Sequence, residues 1–294
     1  DYFIAKFDAV GNLAWVRQLG VAGANTQAKG ITVDGDGNAY LTGVTYGDLA
    51  GITRSGNSDS FVAKYDRSGN RKWVKLYGDS GSLVGGRAIA VTSSGFVITG
   101  KTSGWFYGEK GSISPVFVMG CDTDGNRLWS HAFGAGLTTE VASVAVNSVG
   151  DIYVAGYSDG NMNSIPRIGA YDTFLCKYSA GGDYQWTRTS GVSGRYKNAS
   201  GMVVGSSGGV FVVGTVTNSQ GYQNLFLEKF SDNGDKVWSV VRGANPVDVA
   251  GLAVFSDRTY VVGSTTNSGT FEANQSLGYN DVFLAGFNSE FGCY

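Results

Sequence analysis

An all-β fold built from repeated four-stranded antiparallel sheets is predicted by three observations on the sequence. One segment recurs about every 57 residues along the chain. Each recurrence holds two pairs of short β-branched or aromatic runs bounded by Gly, Asp, Asn and Ser, and no stretch sustains the 3.6-residue period of an amphipathic helix. Four-stranded units at this spacing fit a β-propeller, in which sheets pack face to face and strand edges stay short.

The first pair of runs is Asp1-Tyr-Phe-Ile-Ala-Lys-Phe-Asp8, Gly11-Asn12, Trp15, and it returns as Asp59 to Trp73, Val116 to Trp129, Asp172 to Trp186 and Asn224 to Trp238. A last partial copy is Asp281-Val-Phe-Leu-Ala-Gly-Phe287. The second pair is Gly30-Ile-Thr-Val-Asp34 followed by Tyr40-Leu-Thr-Gly43, echoed at 88–100, 143–156, 201–214 and 251–263. In the first copies the four strands are a (30–34), b (38–43), c (1–7) and d (13–19). The a–b and c–d connections carry Asp-x-x-Gly-Asn or related turns, whose Asp, Asn and Gly tolerate positive φ.

Copies therefore start near residues 1, 59, 115, 172, 224 and 281, and residues 1–294 are expected to form a single β-propeller domain. The N-terminus supplies c and d, four full sets follow, and the end supplies a, b and c. Five blades use all but one of these strands. The prediction is a five-bladed ring closed by pairing the N-terminal c–d hairpin (1–19) with the C-terminal a–b hairpin (251–263). Residues 281–287 then duplicate residues 1–7, and this surplus strand is expected to displace the N-terminal one, cover an edge, or add to a sheet of another subunit.

Composition agrees with a packed, turn-rich chain. It has 294 residues, 46 Gly but only 3 Pro, 42% apolar and 13% aromatic residues. Charged residues make up 16%, and 22 Lys+Arg against 24 Asp+Glu give a net charge of −2, with no basic footprint for nucleic acid. No apolar run approaches the roughly 20 residues of a membrane-spanning helix, so no membrane insertion is expected. Cys121, Cys176 and Cys293 are too few for a disulfide framework and show no zinc-ligand spacing. Neither a metal nor another cofactor is expected. The chain opens inside a strand-like run with no Met, which reads as a mature or trimmed product.

The paired signatures, Asp-x-Phe-Val-Ala-Lys-x-Asp-x-x-Gly-Asn-x-x-Trp and Gly-Ile-x-Val-Asp-x-x-Gly-Asn-x-Tyr-x-Thr-Gly, resemble the bacterial SBBP-type β-propeller repeat. The third copy departs from it at Pro115, Met119, Gly120 and Cys121. The resemblance implies a secreted or cell-surface protein, and it supplies no catalytic residues.

Each candidate site has a plainer structural reading. The repeated Trp15, Trp73, Trp129, Trp186 and Trp238 are expected to fill interblade wedges. Asp34-Gly-Asp36-Gly-Asn38 and Asp122-Thr-Asp124-Gly-Asn126 resemble the start of a calcium loop, yet they lack its Gly at position six and Glu at position twelve, and read as hairpin turns. His131 reads as a surface strand residue, with no nucleophile motif beside it. Lys6, Lys64, Lys177 and Lys229 alternate with apolar neighbours in strand c and are expected to form an outward, solvated blade face.

Gln27, Gly85, Glu140, Asn198 and Asp248 align just before the a strands and are expected to ring one channel mouth. Acids at two of five places leave a glycosidase as an alternative of low support. The least repetitive stretches are the b–c connections, 44–58, 101–115, 157–171, 215–223 and 264–280. Binding on a repeat scaffold is expected there, at Tyr46, Asp48, Trp105, Tyr107, Glu109, Tyr157, Asp159, Tyr222, Phe271 and Tyr279. The sequence thus predicts a non-catalytic, exported interaction or structural module with a protein or glycan partner at a cell surface. Self-assembly through residues 281–287 is a further expectation, and a lectin-like propeller is the main alternative.

Overall fold

The computed structural model describes residues 1–110, 113–243, 247–256, 258–266, 270–271, 274–275, 280–290 and 292. The chain forms two compact units, Asp1–Gly134 and Ala135–Tyr294.

In the first unit, β1 (Tyr2–Phe7) and β2 (Leu13–Leu19) form a two-stranded hairpin. A four-stranded antiparallel sheet follows from β3 (Thr26–Val33), β4 (Ala39–Thr45), β5 (Asp59–Tyr65) and β6 (Arg71–Tyr77), in that order. The next sheet has β7 (Val84–Thr92) and β8 (Gly95–Thr102), then β11 (Val116–Asp122) and β12 (Arg127–Phe133). A small hairpin of β9 (Trp105–Phe106) and β10 (Glu109–Lys110) interrupts its b–c connection.

The second unit repeats the plan with β13 (Thr139–Val146), β14 (Ile152–Ser158), β15 (Asp172–Tyr178) and β16 (Tyr184–Ser190). The next sheet is β17 (Lys197–Val204), β18 (Val210–Thr217), β19 (Gln223–Phe230) and β20 (Lys236–Arg242). The last sheet has β21 (Val247–Phe255), β22 (Arg258–Thr266) and β25 (Asn280–Asn288), with a small pair, β23 (Thr270–Phe271) and β24 (Asn274–Gln275), between. A 3-10 turn at Met162–Ser164 is the one helical element among the described residues.

The turn sequences explain the hairpins. Asp8, Asp34, Asp66 and Asp122 each accept the backbone N–H groups two and four residues on, and each also takes an amide hydrogen bond from the following Asn side chain. This local bonding lets a short polar turn replace the strand ladder. Both oxygens of Asp34 and Asp122 are thereby engaged in holding the chain reversal, as the hairpin reading of those segments requires.

One expectation is corrected. The edge of β22 that five-bladed closure assigns to the N-terminal hairpin is taken by β25, in register from Arg258 opposite Asn288 to Thr266 opposite Asn280. The reason is side-chain alternation: Phe283, Ala285 and Phe287 of β25 point into one core with Val261, Phe211 and Leu227, so this strand satisfies ladder and core together. β1 has β2 as its sheet partner. Residues 281–287 are thus the c strand of this sheet among the described residues, the displacement of the N-terminal strand that the sequence left open as one alternative.

Within each unit, one sheet is fastened to the next by a repeated device. The c-strand residue on the leading face, toward the following sheet, packs on two or three trailing-face residues of that sheet's own c strand. Ile4 meets Phe61, Ala63 and Tyr65, and Val62 meets Phe117, Met119 and Cys121. Leu175 meets Phe226 and Phe230, and Leu227 meets Phe283, Ala285 and Phe287. The tryptophans add a second fastening: Trp15 donates its indole N–H to Arg67 O at 3.2 Å in the next c–d turn.

The strand-c lysines are corrected in part. Lys6 is exposed, whereas Lys177 is buried and Lys64 and Lys229 are half-buried, and each amine reaches the turn that follows the next sheet's c strand. Lys6 donates to Arg67 O (3.1 Å), Lys64 to Thr123 O (3.4 Å), Lys177 to Asp232 O (3.4 Å) and Lys229 to Ser289 O (2.9 Å). The register places each lysine opposite the strand-d tryptophan. Lys64, Lys177 and Lys229 also lie over the strand-b rings of Tyr40, Tyr153 and Phe211, so their stems run over aromatic surface and their amines emerge at the turn.

Candidate functional site

Carboxylates and amides fold the b–c connections 44–58 and 157–171 onto themselves. Asp48 accepts Arg54 N–H at 3.1 Å, and Asp59 accepts Ser55 N–H and Gly56 N–H at 2.8 Å each. The connection 113 residues later copies this plan, with Asn161 accepting Arg167 N–H and Asp172 accepting Ile168 and Gly169 N–H. Asp159 accepts Leu137 and Thr138 N–H, both at 2.9 Å. Each of these groups is committed to backbone donors, which shapes the loops and leaves the aromatic side chains to meet solvent.

In the first unit Tyr46 is exposed and Trp105 is 53% exposed. Phe106, beside Trp105, is fully buried and stacks on Phe117 at 4.3 Å, which anchors the small hairpin. Tyr107 donates its backbone N–H to Asp79 (3.0 Å) and lies beneath the Arg127 guanidinium at 4.3 Å. Burial pushes its hydroxyl up to about 12. Glu109 accepts Ala132 N–H at 2.6 Å and lies 3.5 Å from His131 Nδ1, while His131 stacks on Trp129 at 5.7 Å. The structure therefore brings Trp105, Tyr107 and Glu109 together on one hairpin folded over β12, which carries His131.

In the second unit Tyr157 meets Tyr171 edge to face at 5.7 Å, and Tyr171 meets Tyr196 at 5.2 Å. Tyr196 is half exposed, so the three form an aromatic row whose end opens to solvent. Tyr222 is exposed on the next connection, held by its N–H to Asn218 Oδ1 (3.0 Å). The side chain of Phe271 and all of Tyr279 lie outside the described residues. Tyr171 and Tyr196 were not among the sequence candidates. Tyr171 closes its connection and Tyr196 opens the next a strand, and only the parallel bridge between them reveals the pair.

Gln27, Gly85, Glu140, Asn198 and Asp248 occupy equivalent register positions near the starts of β3, β7, β13, β17 and β21. In the second unit the a strands follow side by side, with β17 between β13 and β21. Glu140 and Asp248 are thus on strands separated by the one carrying Asn198.

Two polar clusters went unnoticed in the sequence. Glu228 on β19 is buried and pairs with Lys197 on β17 at 2.7 Å and with Lys236 at 3.1 Å, while Ser190 donates to it at 2.9 Å. Burial would raise the Glu228 carboxyl, but the two ammonium groups outweigh that and hold it below the ordinary range. Burial pulls the Lys197 amine down, and the attraction of Glu228 only partly offsets this. On the turn side, Lys177 bridges Asp151 (2.9 Å) and Asp232 (2.8 Å), and Tyr153 donates its hydroxyl to Asp232. Burial lowers the Lys177 amine, and these hydrogen bonds outweigh it and hold the amine above the ordinary lysine range. Beside this cluster is a hollow of about 470 Å³ lined by Asn147, Ser148, Gly205, Ser206 and Asp232.

Residues 14–50 and 128–162 match the SBBP β-propeller repeat model. Two segments of the chain are SBBP repeats. The two matched segments begin at strand d of one copy and run through the following a–b hairpin, the portion in which Trp15 and Trp129 and the next a strands recur. The chain is 22% identical to the regulatory protein FlaEY of Caulobacter vibrioides, over 98% of this chain and 35% of that protein. The chain thus spans about a third of that relative's length. Among solved structures, the gluconolactonase XC5397 of Xanthomonas campestris is 13% identical with a TM-score of 0.43, covering 80% of this chain and 69% of that one. A variant of the apocarotenoid oxygenase of Synechocystis is 10% identical with a TM-score of 0.47, covering 96% and 70%. Likeness at this level bears on neither chemistry nor ligand.

Proposed function

We propose that this SBBP-repeat chain is a non-catalytic interaction module, secreted or displayed at a cell surface, whose b–c loop side holds a protein or glycan partner. The observation that carries the reading is the division of labour in the loops. Asp48, Asp159 and Glu109 are spent on backbone amides, while Tyr46, Trp105, Tyr196 and Tyr222 present ring surface to solvent. Rigid aromatic rings on ordered loops supply contact area at low entropy cost, which is what a binding surface needs. An enzyme working by paired acids has weaker support, since β17 separates the strands of Glu140 and Asp248. FlaEY is named as a regulatory protein, and a regulatory role exercised by holding a partner agrees with such a module.

A carbohydrate ligand is the second reading, favoured by the Tyr157–Tyr171–Tyr196 row, because sugar rings present C–H faces that stack on aromatics. Screening the chain on a glycan array and against cell-surface proteins tests the proposal. Binding that falls at least tenfold in Trp105→Ala or Tyr196→Ala is expected. Binding indifferent to both variants contradicts the loop-side assignment. Cell fractionation tests export directly, with the chain expected outside the cytoplasm.

A further inference from the structure

The leading-face and trailing-face contacts that fasten one sheet to the next are satisfied four times within the two units, and at two places the equivalent residues are exposed among the described residues. On the last sheet, Leu284 occupies the position of Ile4, Val62, Leu175 and Leu227, and it is 72% exposed. Val282 beside it is 81% exposed, and Tyr260 and Val262 of β22 extend the same face. On the N-terminal hairpin, Phe3, Ala5 and Phe7 occupy the positions of the receiving triads Phe61, Ala63, Tyr65 and Phe283, Ala285, Phe287. Phe3 is 72% and Phe7 58% exposed. Phe3 and Phe7 line an apolar groove of about 370 Å³ together with Ile31, itself exposed.

We infer that these two faces bind each other between copies of the chain, head to tail. The occupant of the Phe3–Phe7 groove is the Leu284 face of a second copy. The argument is continuity with an interface the chain already makes: the inserted residue and the receiving triad have the same chemistry as in the Ile4 and Leu227 contacts. Exposed apolar patches of this kind on a folded chain mark a partner surface, and two unlike, complementary patches on one chain make a heterologous contact that propagates. The inference concerns residues 1–7 and 281–287 and does not depend on what the loops bind. It also sharpens the expected role of residues 281–287, since β25 stays paired in its own sheet and contributes its outward face instead of a donated strand.

Sedimentation velocity on the intact chain over a wide concentration series tests this. Mass is expected to rise above that of one chain with concentration, and Leu284→Arg and Phe3→Arg are each expected to abolish the rise. Both sites are exposed in the single chain, so circular dichroism and melting at low concentration should match wild type, and Val282→Arg and Phe7→Arg give independent variants. An equimolar mixture of Leu284→Arg and Phe3→Arg is expected to form species of two chains and none larger, because each copy retains one intact face. A wild-type chain that stays at single-chain mass overturns the inference, as does a mixture that does not associate. Single-chain mass with a melting temperature lowered by both variants likewise overturns it, showing the faces to be covered within one chain.

Discussion

The indole of Trp15 lies against Gly69, the turn glycine of the following sheet, so closely that a Cβ on Gly69 would come within 2.7 Å of the ring. The same relationship joins Trp186 to Gly234, at 3.0 Å, and Trp238 to Gly292, at 2.9 Å. Each of these glycines has positive φ, so the turn requires glycine for its backbone and the preceding sheet's tryptophan requires it for space.

Gly69→Ala and Gly11→Ala separate the two requirements. Gly11 has a comparable φ of +88° but nothing within 4 Å of its would-be Cβ. Gly11→Ala should cost about 1 kcal/mol for the left-handed backbone alone, and Gly69→Ala about 2–4 kcal/mol because the indole must also shift. Urea unfolding of both variants measures the difference. Equal losses would remove the tryptophan contact from the account.

Lys177 and Lys6 hold equivalent positions in different surroundings. Lys177 is nearly buried between Asp151 and Asp232, whereas Lys6 is exposed. Lys177→Met should destabilise by about 2–4 kcal/mol, since it strands partly buried carboxylates, and Lys6→Met by less than about 1 kcal/mol. Chemical denaturation again gives the comparison.

Glu228 gives a pH signature. Its folded-state carboxyl titrates below the ordinary range, so the stability it contributes is present above the unfolded-state value of about 4.3 and is lost as pH falls through the lower folded-state value. Glu228→Gln leaves Lys197 buried without its counter-charge, at a cost of about 3–5 kcal/mol near neutral pH. The gap between wild type and variant should narrow as pH drops below about 4.3. A gap that is constant with pH would mean the carboxylate is not held in its charged form.

Comparison of the copies shows what was legible in the sequence. The strands, the Asp-x-x-Gly-Asn turns and the interblade tryptophans follow from local pattern, because each is dictated by alternation or by turn chemistry within a few residues. The lysine row was legible as a period but not as a contact. Its role depends on where the next sheet's turn carbonyl lies, and that distance is tertiary. Glu228 did carry a signal: it stands where other c strands have Ala5, Ala63, Met119, Cys176 and Ala285, and Lys197 stands where other a strands have Thr26, Val84, Thr139 and Val247. Two departures of opposite charge in one copy could have been paired. The identity of the strand on β22 was not decidable from pattern, since Asp1–Phe7 and Asp281–Phe287 are near duplicates, and the choice is made by which segment fills the core beside Val261.

The buried thiols give a further test. Burial pushes Cys121 and Cys176 up to about 12, so neither presents a thiolate near neutral pH. Alkylation at pH 8 followed by peptide mapping should leave both unmodified in the folded chain and modify them at the rate of unfolding. Rapid labelling of either would show that its sheet opens locally.

The most direct test of the proposed role is to incubate the chain with a ligand it retains and follow both binding and the ligand's mass. The account predicts retention that Tyr196→Ala or Trp105→Ala weakens, with the ligand recovered unchanged. A ligand converted to product, with conversion lost in Glu140→Gln or Asp248→Asn, would contradict it.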